Sequence, residues 1–413
     1  MDNFTLLKLP PSLQKSLDKL KFGTPTEVQK QAIPQALTGK DIIISAPTGT
    51  GKTLAFCIPI ITKALEDKNN NAIIITPTRE LASQIITVLR SLLSYNHHIK
   101  STLLIGGTPM NKQLAGLKAT PQIIVGTPGR INDHLKRKTL NLKNTKFVVL
   151  DEMDRMLDMG FSIQIDQIFE FLPTTRQVLM LSATIPPPIL KLSKKYLNNP
   201  GNVTIDASEI VNTDIKQEFI HTSKEQKYHD LLDQLSKRQG TIIIFVKTRK
   251  DTEDLAKRLS KDSFRAKAIH GALRQHQRDK IIRLFRKEEY HIVVATDVAA
   301  RGIDVPHIRH VINYNLPTNP EDYVHRVGRT GRAGLEGYAL CFISPNEKKE
   351  WHALEHFLDP SKPKPRSTPQ RKHKPRRRFG RPGGNKQKHS RSPSPKPRNF
   401  NSRKRNKIGR AHV

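Results

Sequence analysis

The sequence predicts an α/β protein with two parallel-sheet domains, followed by a disordered basic tail. The chain of 413 residues is longer than one ordinary domain requires. Short continuous apolar runs alternate with stretches of helical period through residues 1–360, which is typical of repeated β-α units. Residues 361–413 hold 20 of the 71 Lys and Arg residues and no Asp or Glu. The formal net charge of +34 is therefore concentrated in this last segment.

The apolar runs are predicted to be strands that are buried on both faces. They lack the polar alternation of a half-exposed strand, which favours parallel sheets covered by helices. In chain order the runs are DIIIS (41–45), NAIIIT (71–76), STLLI (101–105), QIIVG (122–126), FVVLD (147–151), VLMLS (178–182), TIIIFV (241–246), HIVVAT (291–296), HVINYN (310–315) and YALCFI (338–343). Parallel strands place their carboxyl ends at one edge of the sheet, where sites form.

Helices are predicted between the runs, and one polar stretch is predicted to separate the two domains. SLQKSLDKL (12–20) spaces three leucines along one helical face. GNVTIDASEIVNTDIKQEF (201–219) is polar and has no helical period. We place the boundary inside it, which gives domains of residues 1–208 and 209–360.

Composition argues against a secreted or membrane protein. No apolar run is long enough to cross a bilayer, and the first residues, MDNFTLLKLPPSL, lack the pattern of a secretory signal. Cys57 and Cys341 lie in apolar surroundings, so we expect small core residues rather than metal ligands. A reduced, cytoplasmic protein is the resulting expectation.

The segment 361–413 is predicted to stay disordered because it is rich in Pro, Ser, Gly and Asn and poor in apolar residues. Its expected partner is a polyanion, bound with strong salt dependence and little base specificity. A tail that only increases solubility is the alternative.

A phosphate-binding loop is predicted directly after the first apolar run. APTGTGKT (46–53) stands between that strand and the helix-like LAFCIPII, the context that such a loop needs. Its glycines allow backbone N–H groups to face an anion at a helix N-terminus. The predicted nucleotide contacts of this loop are Ala46, Pro47, Thr48, Gly49, Thr50, Gly51, Lys52 and Thr53. A glycine-rich turn with an incidental lysine is the alternative.

Three acids crowd the end of another apolar run, in FVVLDEMDRM (147–156). A phosphate loop needs an acid at the end of a neighbouring strand to hold Mg²⁺, so we assign Mg²⁺ to Asp151 and Thr53, partly through water. Glu152 is placed to orient or deprotonate the attacking water, and Asp154 completes the group. A solvated acidic turn is the alternative.

Arginines recur every third residue in YVHRVGRTGRAG (323–334), as Arg326, Arg329 and Arg332. Arginine forks match phosphate oxygens, and the segment lies in the second predicted domain. It can therefore supply arginine fingers across a cleft, or else form a nucleic-acid-binding loop.

These motifs, together with others between them, resemble those of the DEAD-box RNA helicases of superfamily 2 over residues 1–350, with DEMD in place of DEAD. The chain is most similar in length and tail to bacterial, RhlE-like members. The resemblance implies two tandem RecA-like domains that bind ATP and Mg²⁺ and unwind or remodel RNA duplexes and ribonucleoproteins locally. It further implies single-stranded and duplex RNA as partners, including ribosomal RNA, a role in ribosome assembly or RNA decay, and a monomer.

The resemblance also assigns nucleotide and coupling residues. In FGTPTEVQ (22–29), Gln29 would recognise adenine and Phe22 would stack on it, while Phe4 matches an isolated upstream aromatic. Gly302 and Asp304 would hold the nucleotide from the second domain. In SAT (182–184), Ser182 and Thr184 would hydrogen-bond Asp154 and His325 in the closed state. The implied catalytic set is Lys52, Asp151, Glu152, Asp154, Ser182, Thr184, His325, Arg329 and Arg332, with Arg326 coupling the domains.

RNA contacts are implied by further motifs of both domains. They are PTRELA (77–82), Gly106–Gly107, TPGR (127–130), IIIFVKTR (242–249), HGALRQHQR (270–278) and VATDVAARGID (294–304). The residues implied to contact RNA are Pro77, Thr78, Arg79, Gly107, Thr127, Pro128, Arg130, Thr248, Gly271, Gln275, Arg278, Thr296 and Arg301.

The sequence departs from the family pattern at a few positions. Ala46 replaces the usual first glycine of the phosphate loop, and Met153 replaces the alanine of the acidic box. A methionine can fill an irregular gap, so we expect altered packing with retained hydrolysis. Asn315 stands where Asp is common, and the sequence alone suggests no consequence.

Two other functions compete with this interpretation. A DNA helicase of the same superfamily is disfavoured by the adenine-binding motif and the acidic box. A non-enzymatic RNA-binding or annealing protein, dominated by its tail, is disfavoured by the intact Lys52, Asp151, Glu152, Arg329 and Arg332.

Overall fold

The computed structural model describes residues 3–47, 49–205, 215–300, 305, 307–331, 336–359 and 361–362. Residues 1–365 form one compact unit. The described residues contain two sheets, and the paired strands of both run parallel. The prediction of two α/β parts with parallel sheets is confirmed. We call residues 3–205 the first half and residues 215–362 the second half.

The first half contains a sheet in the order β3-β4-β2-β5-β6-β1-β7. Its strands are β1 (Ile42–Ser45), β2 (Asn71–Ile75), β3 (Ser101–Leu104), β4 (Ile123–Gly126), β5 (Thr145–Leu150), β6 (Gln177–Ser182) and β7 (Gly201–Thr204). Its helices are α1 (Pro11–Lys19), α2 (Glu27–Leu37), α3 (Lys52–Glu66), α4 (Arg79–Leu92), α5 (Met110–Lys118), α6 (Pro128–Lys136), α7 (Met153–Asp158), α8 (Ser162–Phe169) and α9 (Pro187–Tyr196).

The second half contains a sheet in the order β10-β11-β9-β12-β13-β8. Its strands are β8 (Ile215–His221), β9 (Thr241–Phe245), β10 (Ala266–Ile269), β11 (Ile292–Ala295), β12 (Ile308–Asn313) and β13 (Gly337–Ile343). Its helices are α10 (Lys227–Ser236), α11 (Arg249–Lys261), α12 (Gln275–Arg286), α13 (Asp297–Ala300), α14 (Pro320–Val327) and α15 (Lys348–Leu358).

Both faces of the central strands are buried, as their continuous apolar sequences predict. In β1, Ile42 and Ile44 join one hydrophobic core while Ile43 joins the core on the opposite face. The same split separates Ile243 from Ile242 in β9 of the second half. Because successive side chains of a strand point to opposite faces, each sheet is covered by helices on both sides.

Three strands were missed by the sequence analysis, and all three lie at sheet edges. β7 and β10 carry alternating or mixed exposure, and β8 is largely exposed or half-buried along its length. In these three strands polar and exposed positions interrupt the continuous apolar run that marks a strand buried on both faces. The stretch 201–219, interpreted as a polar boundary, contains β7 and the start of β8.

The predicted boundary between residues 208 and 209 lies outside the described residues. The first sheet ends with Thr204 and the second begins with Ile215. At the other end, Ser361 and Lys362 bond back to Asp359 and Glu355, so these two residues of the predicted tail pack on the end of α15. The rest of the tail, residues 363–413, is outside the described part of the chain.

The two cysteines are buried in the described cores, and burial raises the pKa of both thiols. Among the described helices, none is long and apolar enough to cross a membrane.

Candidate functional site

The predicted nucleotide site forms where neighbouring strands of the first sheet end. β5, β6 and β1 are adjacent, so the phosphate loop, the acids and the SAT segment leave the sheet at one edge. The Ala46 N–H donates to the Ser182 carbonyl at 3.1 Å, and the Asp151 N–H donates to the Ile75 carbonyl at 3.0 Å. The carboxyl edge of a parallel sheet is where ligands of such folds bind.

The phosphate loop has the conformation that its glycines were predicted to allow. Gly49 and Gly51 both have φ of +91°, and α3 begins directly afterwards at Lys52. The loop is closed by the Thr50 hydroxyl, which donates to the Pro47 carbonyl at 3.0 Å. A helix N-terminus behind turned backbone amides is a favourable place for phosphate. The Lys52 ammonium folds back and donates to the Ala46 carbonyl, while Thr53 is half-buried in the first turn of α3.

Gln29, predicted to recognise adenine, also ties its own helix to the phosphate loop. Its Nε2 donates to the Gly51 carbonyl at 3.0 Å, and its Oε1 accepts from the Thr26 N–H at 3.0 Å. The Thr26 hydroxyl donates to the Thr50 carbonyl at 2.7 Å. A Cβ on Gly51 would come within 2.4 Å of the Gln29 amide, so a larger residue there would displace that side chain in addition to adopting an unfavourable φ of +91°. Each amide atom of Gln29 keeps capacity for one more hydrogen bond.

The two aromatic residues of the same segment have opposite environments. Phe22 is 38% exposed, which leaves its ring accessible to a planar ligand. Phe4 is fully buried and belongs to the same hydrophobic core as Leu13 and Leu17 of α1. Phe4 therefore acts as a packing anchor for the N-terminal segment.

The acids form a group beside Lys52 in which Asp151 is buried and Glu152 and Asp154 are half-buried. Asp151 is 4% exposed, and burial, followed by the neighbouring Glu152 charge, raises the pKa of Asp151 to about 7 against the opposing effect of Lys52. Glu152 lies in the left-handed region at φ +52°, ψ +54°, which is strained for a residue with a side chain. Among the described residues, the buried Glu152 Oε2 has no hydrogen-bond partner. Buried carboxylates in this arrangement fit a divalent cation, which would neutralise them.

Asp154 connects the acids to the SAT segment and to the second half. Its Oδ2 accepts from the Ala183 N–H at 3.2 Å and lies 3.8 Å from His325 Nε2. The Ser182 hydroxyl donates instead to the Thr184 carbonyl at 2.6 Å. In this structure the hydrogen bond to Asp154 is therefore made by the backbone of the SAT segment, and the bonds of Ser182 and Thr184 to Asp154 and His325 in the closed state stay a prediction.

A buried ion pair joins the halves beside this contact. Arg155, at the start of α7, pairs with Asp322 of α14, and the two side chains are only 5% and 11% exposed. Arg155 also pairs with Asp158 at 3.2 Å, whose side chain is 44% exposed. The role of Asp322 was not predictable from the sequence, because a charged residue on an amphipathic helix gives no local sign of a distant partner.

Several predicted RNA residues of the first half lie at helix N-termini. Thr78 and Thr127 are the N-cap residues of α4 and α6, and the Thr78 hydroxyl accepts from the Leu81 N–H at 3.2 Å. Pro77 is buried ahead of the first cap, and Pro128 begins α6. Two helix N-termini at the carboxyl edge of one sheet present amides that suit backbone phosphates.

Arginines stand beside these caps. Arg79 fits into space left by two glycines, since a Cβ would come within 2.9 Å of it at Gly106 and within 2.7 Å at Gly107. Arg130 NH1 donates to the Thr108 carbonyl at 3.4 Å. These contacts place two cations next to the helix N-termini.

In the second half, two predicted RNA residues, Gln275 and Arg278, contact the first half. Gln275 Nε2 donates to Glu80 at 3.0 Å, and Arg278 pairs with the same carboxylate at 3.1 Å. Gln275 Oε1 also accepts from Arg79 NH1 at 3.3 Å. In this structure Gln275 and Arg278 therefore hold the halves together. The carboxylate of Glu80, which is 7% exposed, was missed by the sequence analysis.

The remaining RNA candidates of the second half lie at the carboxyl ends of its strands. Thr248 is the N-cap of α11, and its hydroxyl accepts from the Asp251 N–H at 3.1 Å. Gly271 is exposed after β10, and Thr296 is 9% exposed after β11. Together they place a third helix N-terminus and exposed backbone at this edge.

Helix α14 carries the arginine-rich segment. Arg326 is 2% exposed and binds Asp297 at 2.6 and 2.7 Å, Asn313 at 2.9 Å and the Asn315 carbonyl at 2.7 Å. Arg326 thus connects α14 with the start of α13 and the end of β12 inside the second half. We call residues 328–331, which follow α14, the finger loop; its Arg329 is 7% exposed. The predicted site residues Thr48, Arg301, Gly302, Asp304 and Arg332 lie outside the described residues.

The structure accounts for the environment of two departures from the family pattern. Met153 is fully buried in the core beneath the acids, together with Met156 and Met180. The Asn315 amide donates to Glu347 at 3.3 Å, a bond that an aspartate could not donate. Asn315 is therefore complementary to the buried Glu347 carboxylate.

Family models and related proteins match this chain over the segments that form the candidate site. The family described as DEAD/DEAH box helicase matches residues 26–192, and the helicase conserved C-terminal domain matches residues 223–334. The chain belongs to the DEAD/DEAH box helicase family. It is 42% identical to the ATP-dependent RNA helicase CshA of Listeria monocytogenes over 351 residues, 84% of this chain and 67% of CshA. The chain is thus an RNA helicase and ATPase; its placement among RhlE-like members stays a prediction.

Solved structures of relatives confirm the RecA-like architecture. Dbp5 of S. cerevisiae, bound to RNA and ADP BeF3, superposes with a TM-score of 0.79 at 34% identity, over 87% of this chain and 94% of Dbp5. A DEAD box protein of Methanococcus jannaschii gives only 0.51 at 40% identity, over 87% of this chain and 97% of the other. The larger similarity at lower identity indicates that this chain's halves are arranged as in the RNA- and nucleotide-bound Dbp5.

Proposed function

We propose that this helicase separates short RNA duplexes locally by closing its two halves around ATP and one RNA strand. The observation that carries the proposal is the pair of contacts from the acidic segment to α14, Asp154–His325 and Arg155–Asp322. They connect the nucleotide-binding edge of the first half with the arginine-bearing helix of the second. Closure and the assembly of the catalytic groups are therefore the same event.

The first half binds ATP as substrate. Amides of the phosphate loop and the Lys52 ammonium hold the phosphates, which requires Lys52 to exchange the Ala46 carbonyl for a phosphate oxygen. Gln29 and Phe22 recognise adenine. The hydrogen bond from Gln29 to the Gly51 carbonyl couples adenine binding to the phosphate loop. Thr53 and Asp151 would hold Mg²⁺, partly through water, and the metal would offset phosphate charge. The buried, mutually repelling carboxylates of Asp151 and Glu152 support this assignment.

Hydrolysis is assigned to Glu152 and the finger loop. Glu152 accepts a proton from a water molecule while the oxygen of that water attacks the γ-phosphorus. The bond from the γ-phosphorus to the oxygen that bridges to the β-phosphate breaks, and ADP and phosphate are released. The strained backbone of Glu152, and an Oε2 that has no hydrogen-bond partner within the described part of the chain, support a catalytic role. Arg329, together with Arg332, neutralises the charge that develops on the γ-phosphate, and an arginine finger of this kind contributes about 10³–10⁵ to kcat.

RNA binds across the carboxyl edges of both sheets through its backbone. The N-termini of α4, α6 and α11, capped by Thr78, Thr127 and Thr248, support phosphate contacts that do not depend on base sequence. Arg79, Gly107, Arg130, Gly271, Thr296 and Arg301 complete the proposed surface. Gln275 and Arg278 contribute by holding Arg79 and Glu80 in the closed arrangement. A strand bent by this surface no longer fits a duplex.

ATP hydrolysis with single-stranded RNA, and with DNA of matched sequence, tests this function. We expect RNA to stimulate hydrolysis at least about tenfold and DNA not to, because contacts to the 2′-hydroxyl distinguish the two. Lys52→Ala is the matched control and should abolish hydrolysis with either polymer. Equal stimulation by DNA would favour a DNA helicase. No hydrolysis would favour an RNA-binding protein dominated by its tail, and would make Met153 the first residue to revert to alanine.

The proposed biological setting is the processing of ribosomal RNA in the cytoplasm. A cytoplasmic monomer that acts on ribosomal RNA, in ribosome assembly or RNA decay, is consistent with the +34 charge. Sequencing the RNA crosslinked to a Glu152→Gln variant in cells tests this setting. Recovery of ribosomal RNA no greater than its abundance in the lysate would contradict it.

A further inference from the structure

One hydroxyl of the finger loop is fully buried and bonded to a neighbouring strand. Thr330 is 1% exposed, and its Oγ1 lies 2.6 Å from the Ile308 carbonyl and 2.9 Å from the Arg309 carbonyl. Both acceptors are at the start of β12. One hydroxyl proton is shared between two backbone carbonyls, so the residue after Arg329 is fixed to the sheet itself.

The opposite side of the finger loop is equally constrained. At the start of β13, a Cβ added to Gly337 would lie 2.7 Å from Thr330 Oγ1 and 2.6 Å from the Gly331 amide nitrogen. These separations are below any ordinary contact, so only glycine allows the loop to lie this close. The loop is thus held between the first residues of β12 and β13.

The helix before the loop is rigid up to the same point. The Arg329 N–H donates to the Arg326 carbonyl at 3.1 Å, and the Thr330 N–H donates to the Val327 carbonyl at 3.0 Å. Arg326 itself is fixed by its bonds to Asp297 and Asn313. Movement of the Arg329 backbone relative to the sheet therefore disturbs the bonds of the Thr330 hydroxyl to its two carbonyls.

We infer that Thr330 is a positioning residue, whose hydroxyl sets the place of the Arg329 guanidinium when the halves close on ATP. The inference rests on the proposed function of Arg329 as a finger. The proposed ATP contacts of the first half, and those of Gly302 and Asp304, do not involve Arg329, so a misplaced finger lowers kcat and leaves KM for ATP unchanged. Misplacement of a catalytic group by about 1 Å can cost about a hundredfold in rate.

The test compares Thr330→Val, which removes the hydroxyl at nearly constant shape, with Thr330→Ser, which keeps it. Thr252→Val is the matched control, because Thr252 is 0% exposed and its hydroxyl also contacts two carbonyls, of Thr248 at 2.9 Å and Arg249 at 2.7 Å. RNA-stimulated hydrolysis is measured for each full-length variant. We expect kcat to fall about 10- to 100-fold in Thr330→Val alone, with KM unchanged and Thr330→Ser close to wild type.

Equal kcat for Thr330→Val and wild type overturns the inference, and so does an equal loss in Thr252→Val, which would indicate a general effect on stability. Gly337→Ala crowds the finger loop but keeps the Thr330 hydroxyl, so we expect this variant also to have a lower kcat. If Thr330→Val does not fold, full activity of Gly337→Ala overturns the inference.

A readout without catalysis separates the inference from the proposed function. Amide hydrogen exchange at residues 328–331 should become faster in Thr330→Val and remain slow in Thr252→Val and Thr330→Ser. Unchanged exchange in Thr330→Val contradicts the inference even in a preparation that hydrolyses no ATP. A wild-type protein without RNA-stimulated hydrolysis would instead contradict the proposed function.

Discussion

The pairing of Arg155 with Asp322 predicts that one uncharged substitution weakens RNA binding only when nucleotide is present. Asp322→Asn keeps the shape of the side chain and removes its charge from an ion pair whose partners are 5% and 11% exposed. Breaking a buried pair outright costs about 3–5 kcal/mol. Arg155 retains Asp158 at 3.2 Å, so we expect a smaller loss of about 1.5–3 kcal/mol, the range for a hydrogen bond to a charged group.

That loss belongs to the closed state alone, because the ion pair exists only when the halves meet. The affinity for single-stranded RNA in the presence of ADP and beryllium fluoride should therefore fall about 10- to 150-fold, and the affinity without nucleotide should not change. Fluorescence anisotropy of a labelled RNA measures both. Asp158→Asn is the control: its carboxylate is 44% exposed, and a surface pair contributes about 0–1 kcal/mol. An Asp322→Asn protein with unchanged affinity, or with equal losses in both conditions, would refute the reasoning.

Three further changes have defined outcomes. Glu152→Gln should keep ATP and RNA bound in a long-lived complex, since the binding groups remain while proton transfer is lost; normal turnover would remove Glu152 from the mechanism. Asp151→Asn should stabilise the metal-free protein more at pH 8 than at pH 5. The pKa of the native carboxyl is raised from its ordinary 3.8 to about 7, so the native state loses stability as the pH rises between these two values, and the substitution removes that loss. We expect the gain in the free energy of unfolding, measured by thermal unfolding with EDTA, to be about 1–3 kcal/mol larger at pH 8 than at pH 5, and equal gains would argue against the raised pKa. Deletion of 363–413 should reduce the dependence of RNA affinity on salt, by about 0.7 in slope for each RNA phosphate that the tail neutralises in the full-length protein; an unchanged slope would leave the tail without an RNA role.

The central strands of both sheets were predictable because a strand that is buried on both faces has a continuous apolar sequence. Ile42–Ser45 and Thr241–Phe245 are strands within a residue of their predicted limits. Of the edge strands, β3 was predicted from STLLI, but β7, β8 and β10 were not predictable in this way. β8, with the sequence IKQEFIH, is exposed or half-buried after its first residue and resembles a polar boundary by composition.

Within the site, groups that are close in sequence were predictable and groups paired across the halves were not. The phosphate loop and the acids each follow one strand, so local spacing identifies Lys52 and Asp151. The partners of Arg278 and Arg155 are Glu80 and Asp322, which lie 198 and 167 positions away in the numbering. Among 37 acids and 71 basic residues, local patterns do not select such pairs, because the tertiary arrangement of the two halves determines them.

The central claim is that ATP and RNA together close the two halves, and distance measurement between them tests it most directly. Thr175 in the first half and Lys261 in the second are exposed, whereas Cys57 and Cys341 are buried. Thr175→Cys with Lys261→Cys therefore allows a dye pair to be attached for energy transfer. We predict a single new transfer state when ATP and single-stranded RNA are both present, persisting in the Glu152→Gln background and absent with either ligand alone. The same transfer efficiency in all conditions would contradict the account.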